Sequence, residues 1–461
     1  MFIGRKRELE ELEERYRSPA FEFGLIYGTR RIGKTRLIDE FIEGKRGFRF
    51  QAKKDNAYGN LRSFSLQLNP FTGMPASFVY SSWEEAFNAI RELSKNERFI
   101  LSIDEYPYIV SQERSFPSVL QDFADRSAKE GHLMLLLSGS NLAFMKKEIQ
   151  ESGGELYKRK TFAMEIKPLP FSEAKSFFPW ANAVEKANYL SLFGFSPYYL
   201  ALINGKASFE ENIQKLLFNP FGTLIDAPDD VLSDGIREPS LYNSILKSIA
   251  NGNHRIRDIA QNIHEEETKI SKYIGVLLDA GMVSKRPYFS GSKNEVFNEI
   301  GDPLLAFYYR FVFDELPRIQ IGLGSKVFEE EKAEIYHWLS QAFEGMANHF
   351  LEEENQKGKF LAFYPPLTRF VIDNSALHRS VEFDGISATK DHALFVECKD
   401  RNALLDREIV RRLMENASLP QFAPFSKKEF ALVSKSGFTP EAKGLESETV
   451  HLYSLEEMMA E

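Results

Sequence analysis

Gly28-Thr29-Arg30-Arg31-Ile32-Gly33-Lys34-Thr35 fits the pattern G-x-x-x-x-G-K-[ST] at every fixed position. Before it stands Phe23-Gly24-Leu25-Ile26-Tyr27, an apolar run of strand length. After it, Arg36-Leu37-Ile38-Asp39-Glu40-Phe41-Ile42 carries apolar residues at helical spacing. Strand, loop and helix therefore occur in the order a phosphate-binding loop requires. The glycines let several backbone N–H groups and the helix start face one anion, Lys34 reaches terminal phosphates, and Thr35 offers its hydroxyl to Mg²⁺. Gly28, Thr29, Arg30, Arg31, Ile32, Gly33, Lys34, Thr35 and the adjoining Arg36 are the expected nucleotide contacts. The plainer alternative, a surface turn before a basic helix, is disfavoured because motif and flanks agree.

A second segment gains its meaning from the first. Arg98-Phe99-Ile100-Leu101-Ser102-Ile103 is an apolar strand ending in Asp104-Glu105, as a Walker B element does. Asp104 is expected to help hold Mg²⁺ and Glu105 to polarise an attacking water. A third strand, Leu133 to Leu137, ends in Ser138-Gly139-Ser140-Asn141. Ligands bind at the carboxyl ends of parallel strands, so Ser140 and Asn141 are either γ-phosphate contacts or plain turn formers. Around these motifs, Arg7 to Tyr16 reads as a charged helix, Phe48 to Gln51 as a strand, and Trp83 to Leu93 as an amphipathic helix. The stretch through Gly59 and Pro75 reads as a long polar connection.

At 461 residues the chain exceeds one ordinary core and suggests about three domains. Its 43% hydrophobic and 27% charged residues are ordinary for a soluble globular protein. No run approaches the roughly 20 apolar residues that span a bilayer, and the N-terminus lacks a signal-peptide core. A cytoplasmic location without membrane association is expected. The single cysteine, Cys398, excludes an internal disulfide and a cysteine-based zinc cluster. A net charge of −9 gives no global pull toward nucleic acid, so contact with DNA would need local basic patches.

The first half resembles the archaeal-type ATPase family, a branch of the P-loop ATPases close to the AAA+ and signal-transduction ATPases. The resemblance is carried by Phe2-Ile3-Gly4-Arg5 with Glu8-Leu9, by the loop, and by Ile103-Asp104-Glu105. Ser138-Gly139-Ser140 and Gly194-Phe195-Ser196-Pro197 add to it. It implies binding of ATP and ADP with Mg²⁺, an opening segment near the base (Phe2, Ile3, Arg5), and a helical lid closing through Pro197. It also implies an arginine finger after the third strand, for which Arg159 in Tyr157-Lys158-Arg159-Lys160 is the nominee. Such a cluster also fits a solvated surface.

The expected organisation is multidomain α/β: a P-loop NTPase parallel sheet at 1–165 and a helical lid with linker at 166–234. A winged helix follows at 235–300, then a connecting helical segment at 301–334. The winged-helix pattern comprises helices at Leu241 to Ala250, from Ile256, and through Ile270, Ile274, Leu277 and Leu278. A wing then carries Lys285, Arg286, Tyr288 and Phe289. Three carboxylates, Glu265-Glu266-Glu267, open its last helix where DNA readers meet bases, so a protein partner or interdomain packing is expected ahead of DNA. The aromatic-rich segment Gly301 to Val312 resembles the opening of the C-terminal domain of unknown function in the same ATPase family.

The last part, 335–461, holds a second constellation. Ser380-Val381-Glu382-Phe383-Asp384-Gly385-Ile386 and Ala393-Leu394-Phe395-Val396-Glu397-Cys398-Lys399 read as neighbouring strands. Residues two apart share a face, so Glu397 and Lys399 emerge together, Asp384 can join them, and Cys398 points away. Two carboxylates and a lysine converging on one edge can hold a second divalent cation and orient a water, with Asp384 and Glu397 as ligands. This D…E-x-K arrangement resembles the restriction-endonuclease-like α/β fold, in which an acidic residue of a preceding helix, here Glu344, often joins the site. An edge strand with solvated carboxylates is the alternative. The chain is thus expected to be an ATPase coupled to a nuclease-like domain, or a nucleotide-controlled switch whose C-terminal domain docks a partner; an oligomer is compatible with either.

Overall fold

The computed structural model describes residues 2–150, 156, 158–228, 238–290, 293–374 and 379–460. Two units divide the chain, Met1–Leu169 and Pro170–Glu461. The first is built on five parallel strands, β1 (Glu22–Tyr27), β2 (Gly47–Gln51), β3 (Phe99–Asp104), β4 (Leu133–Gly139) and β5 (Phe162–Glu165), in the order β2-β3-β4-β1-β5. Strands β3 and β4 are buried at every position and β1 at all but its last. Burial on both faces is why they read as unbroken apolar runs rather than alternations.

Helices α1 (Lys6–Arg17) and α2 (Lys34–Ile42) cover one face, packing Leu12, Leu37, Ile38 and Phe41 onto Ile26, Ile100 and Met134. The other face carries α3 (Ala57–Thr72), α4 (Trp83–Ser94), α5 (Tyr106–Gln112) and α6 (Phe116–Glu130), whose Phe64, Trp83, Phe87, Phe116 and Phe123 meet Leu25, Leu101 and Leu135. The α7 helix (Leu142–Gln150) follows β4. The phenylalanine richness of the sequence is therefore core packing.

The polar connection expected through Gly59 is corrected by α3. Leu61, Phe64 and Leu68 are buried at helical spacing, and the Asn56 side chain accepts from Gly59 N–H at 2.8 Å to start the helix. Pro70 falls in the last turn. Because β3, β4 and β1 are parallel neighbours in register, their carboxyl ends bring Asp104, Ser138 to Asn141 and Gly28 to one edge of the sheet.

In the second unit, Ala183–Phe193 and Phe209–Leu217 are helices started by capping boxes, Asn182 with Glu185 and Ser208 with Glu211. Helices Pro239–Ala250, Ile256–Ile263 and Glu267–Asp279 precede a hairpin of β6 (Val283–Ser290) and β7 (Lys293–Ile300). The side chains of Tyr288 and Phe289 lie outside the described residues, as do Tyr157 and most of the linker end at 229–237. This hairpin does not stand free as a wing. Through the pairing of Phe289 with Phe370 it extends a seven-stranded sheet of order β12-β11-β10-β9-β8-β6-β7.

In that sheet β8 (Thr368–Asn374), β9 (Arg379–Ala388) and β10 (His392–Lys399) run antiparallel, whereas β11 (Lys427–Ser434) and β12 (Val450–Ser454) run parallel to β10. Phe383, Phe395, Phe422 and Phe430 form much of its core. The border drawn between residues 334 and 335 falls inside one helix, Gly324–Gln356. Buried Phe328 lies before that border and buried Ile335, Leu339, Phe343, Met346 and Phe350 after it on the same face, and no Gly or Pro stands at 334 or 335 to end the helix there. Among the described residues no helix is long and apolar enough to cross a membrane.

Candidate functional site

Gly28 can only be glycine: a Cβ there would lie 2.4 Å from the Ile166 carbonyl oxygen. Gly33 has φ 91° and leads into α2 at Lys34. The loop between them thus curls at the amino end of a helix, where backbone N–H groups are unpaired. The Lys34 ammonium is buried and donates to the carbonyls of Gly28 and Thr29, both at 2.9 Å. Burial lowers its pKa against the opposing influence of Glu105 and Asp104. Arg5, also buried, ties the opening segment to the loop through a 2.8 Å bond to the Ile32 carbonyl and pairs with Glu8 at 2.9 Å.

Asp104 ends β3 fully buried. Its Oδ2 accepts from Thr35 Oγ1 at 2.8 Å, and its Oδ1 from Ser138 Oγ at 2.5 Å and from Glu105 N–H at 3.1 Å. A hydroxyl and a carboxylate joined across the foot of the loop form a donor set suited to a hard divalent cation that keeps several waters. Glu105 adopts φ 54°, a left-handed conformation costing about 1–2 kcal/mol for a side-chain-bearing residue. That turn aims its carboxylate at Ser140, which donates from Oγ at 3.0 Å and from N–H at 3.3 Å. Burial raises the Glu105 pKa, opposed by Lys34, as suits a proton acceptor.

Sequence reasoning missed two neighbours, Arg49 on β2, which reaches Asp104 Oδ2 at 3.3 Å, and Tyr108 of α5, whose hydroxyl accepts from the nominated Arg30 at 2.7 Å. The first was legible in principle, because β2 borders β3 and Arg49 lies two residues before Gln51, the register partner of Asp104. Of the other nominees, Phe2 packs on the α1–α2 core and Ile3 is half-buried. Arg36 pairs along its own helix with Glu40, and the Asn141 side chain caps α7 by accepting from Phe144 N–H. Pro197 opens the short helix Pro197–Leu200 of the second unit.

Arg159 does not meet the loop within its own chain. It is ion-paired with Asp125 on α6 at 2.8 Å, and Thr161, two residues on, bonds Phe23 at the amino-terminal end of β1. That is the sheet edge opposite the loop.

The second constellation does assemble. Lys399 Nζ lies 2.5 Å from Glu397 Oε1 and 3.7 Å from Asp384 Oδ2, which also accepts from Cys398 N–H at 2.7 Å. Cys398 itself is buried. Strand β9 is internal to the sheet, Asp384 is buried, and Asn348 donates to its carbonyl at 3.1 Å. The edge-strand alternative is thereby removed for Asp384; Glu382 is exposed and pairs with Arg369. Glu344 on Gly324–Gln356 is close enough that burial and the Asp384 charge push its pKa up to about 7. Burial also raises the carboxyls of Asp384 and Glu397. Among the described residues no group of three or more His, Cys, Asp or Glu is arranged to hold a metal ion. The Lys399 ammonium is ion-paired with both Asp384 and Glu397.

Residues 2–202 match a family described as an ATPase domain predominantly from Archaea, and residues 308–413 a family described as Archaea bacterial proteins of unknown function. An uncharacterized protein of Methanocaldococcus jannaschii is 29% identical over 448 residues, covering 94% of this chain and 96% of that one. An uncharacterized ATP-binding protein of the same organism is 46% identical over 46 residues, 10% of this chain and 78% of its own length. Among solved structures, the Walker-type ATPase of Pyrococcus abyssi matches with a TM-score of 0.52 at 18% identity, covering 67% of this chain and 96% of that one. At that identity the likeness speaks for the fold alone.

Proposed function

We propose, for a chain whose residues 2–202 belong to the ATPase domains found predominantly in Archaea, that it binds ATP at Gly28 to Thr35 and hydrolyses it. The observation that carries this reading is the Thr35–Asp104 contact at the foot of the loop, with Glu105 held beside it by Ser140. Mg²⁺, held by Thr35 and Asp104, would neutralise phosphate charge. Lys34 then leaves the Gly28 and Thr29 carbonyls for the terminal phosphates. Glu105 takes the proton of the attacking water, and Ser140 keeps its carboxylate in place. Nucleotide binding by the full chain, followed with a fluorescent ATP analogue, tests this: Lys34→Ala should abolish it. Glu105→Gln should preserve binding while slowing phosphate release by about 10²–10⁴. Normal turnover in the second variant would remove Glu105 from its role.

For the C-terminal part we favour a nuclease-like site over a mere docking module. Support comes from the helix-strand-strand-strand-helix-strand order at 324–434 and from Asp384, Glu397 and Lys399 converging on one place. Incubation with mixed DNA forms and Mg²⁺ or Mn²⁺, comparing wild type with Asp384→Ala, separates the readings. Absence of cleavage under every condition favours the nucleotide-controlled switch.

A further inference from the structure

The Arg49 guanidinium sits between two carboxylates. Nε and Nη2 donate to Asp39 of α2 at 2.6 and 3.3 Å, while Nη1 lies 3.3 Å from Asp104 Oδ2. That oxygen is the one Thr35 also uses, hence the one facing a divalent cation bound at the loop. A cation and a guanidinium in contact with the same oxygen repel each other, because Asp104 is fully buried and Arg49 only slightly exposed, so water screens them weakly. Arg49 also has a place to go. Asp39 is partly exposed, its carboxylate already takes two of the guanidinium donors, and a cavity of about 430 Å³ is lined by Asp39, Arg49, Arg36 and Glu40.

We propose that Arg49 is a built-in competitor for the divalent cation. It neutralises Asp104 while no metal is bound and withdraws onto Asp39 when metal and nucleotide arrive together. The proposal rests on the nucleotide reading above and adds a residue that sets the metal requirement. Its sign distinguishes it from simple positioning: a residue that merely holds Asp104 in place would weaken metal binding when removed, whereas a competitor strengthens it.

Mn²⁺ binding to the full-length protein with ADP present is read from the loss of the free-ion EPR signal. Arg49→Gln should tighten Mn²⁺ about tenfold, and Asp39→Asn, which removes the carboxylate that competes with Asp104 for Arg49, should weaken it about threefold. Metal-free ADP affinity should stay within about twofold in both. Weaker or unchanged Mn²⁺ affinity in Arg49→Gln, at a melting midpoint equal to wild type, overturns the proposal. If Arg49→Gln melts early, Asp39→Asn decides alone, and unchanged or tighter Mn²⁺ binding there overturns it. If the wild type binds no Mn²⁺ with nucleotide, the metal site itself is refuted, and the competition with it.

Discussion

Replacing Lys399 by Met removes a cation that touches both Glu397 and Asp384 while keeping most of the side-chain volume. At an effective dielectric of ~20 its contacts at 2.5 and 3.7 Å correspond to gross attractions of about 7 and about 4 kcal/mol, most of which desolvation consumes. Breaking a buried pair typically costs about 3–5 kcal/mol. The Lys399 side chain is 34% exposed, so solvent screening brings the expected loss to about 2–3 kcal/mol. For a unit of roughly 300 residues this lowers the melting midpoint by about 3–5 °C.

The pH dependence gives the sharper test. Glu344, Asp384 and Glu397 all have folded pKa values above their unfolded ones. The folded state therefore holds more protons, and the stability these groups confer is complete below about pH 4 and lost as pH rises through their raised pKa values, for Glu344 about 7. Without Lys399 those values climb further, so the variant's deficit should be largest at pH 8 and shrink at pH 5. Near-UV circular dichroism melts of both proteins at the two pH values and equal ionic strength would show it. A deficit of the same size at both, or none at pH 8, refutes the assignment of Lys399 as the counter-ion.

Further expectations concern both units. Gly28→Ala should cost about 1–3 kcal/mol through the clash with Ile166 and raise the nucleotide Kd at least about tenfold, measured by fluorescence titration. ATP turnover, read as phosphate release, should rise with pH through the raised pKa of Glu105, since only its ionised form accepts a proton. Arg159→Ala should leave turnover of the isolated monomer unchanged and cost at most about 1 kcal/mol, the worth of its partly exposed pair with Asp125. Glu429 is fully buried; burial opposes its ionised form, but bonds from His451, Tyr364 and the Leu361 N–H outweigh that and hold its pKa low. Glu429→Ala should therefore cost about 3–5 kcal/mol at neutral pH. In the wild type this contribution is present above the unfolded carboxylate pKa of about 4 and disappears as pH falls further, which a denaturant titration at each pH would record.

What could be read from the sequence follows what is locally encoded. The loop, β1, β3, β4 and the carboxylates at their ends were legible because burial on both faces writes a continuous apolar run that stops where the ligand edge begins. The placement of Glu397 and Lys399 on one face followed from strand alternation alone. Helix α3 was hidden because Gly59 and Pro70 are breakers in an isolated chain, while its stability comes from Phe64 meeting Phe50 and Trp83 across the core. Arg49 was missed for a related reason: the pairing of β2 with β3 that delivers it to Asp104 has to be placed before its role can be read. Arg159 shows the converse, since a cluster of cations reveals charge but not which edge of a sheet it occupies.

The helix Gly324–Gln356 ties the second unit together mechanically. Near its start Phe328 meets Phe218 edge to face; farther along Trp338 meets Phe307, and His349 lies ring to ring against Phe195 of the Gly194–Pro197 element. Glu353 holds the Ser172 N–H at 3.0 Å. Glu344 rides between these attachments, about 24 Å along the axis from Phe328. One helix thus contacts the Gly194–Pro197 element and carries Glu344 beside Asp384. A tilt of about 5° pivoting at Phe328 would carry Glu344 roughly 2 Å, enough to change its spacing from the carboxylates of β9 and β10.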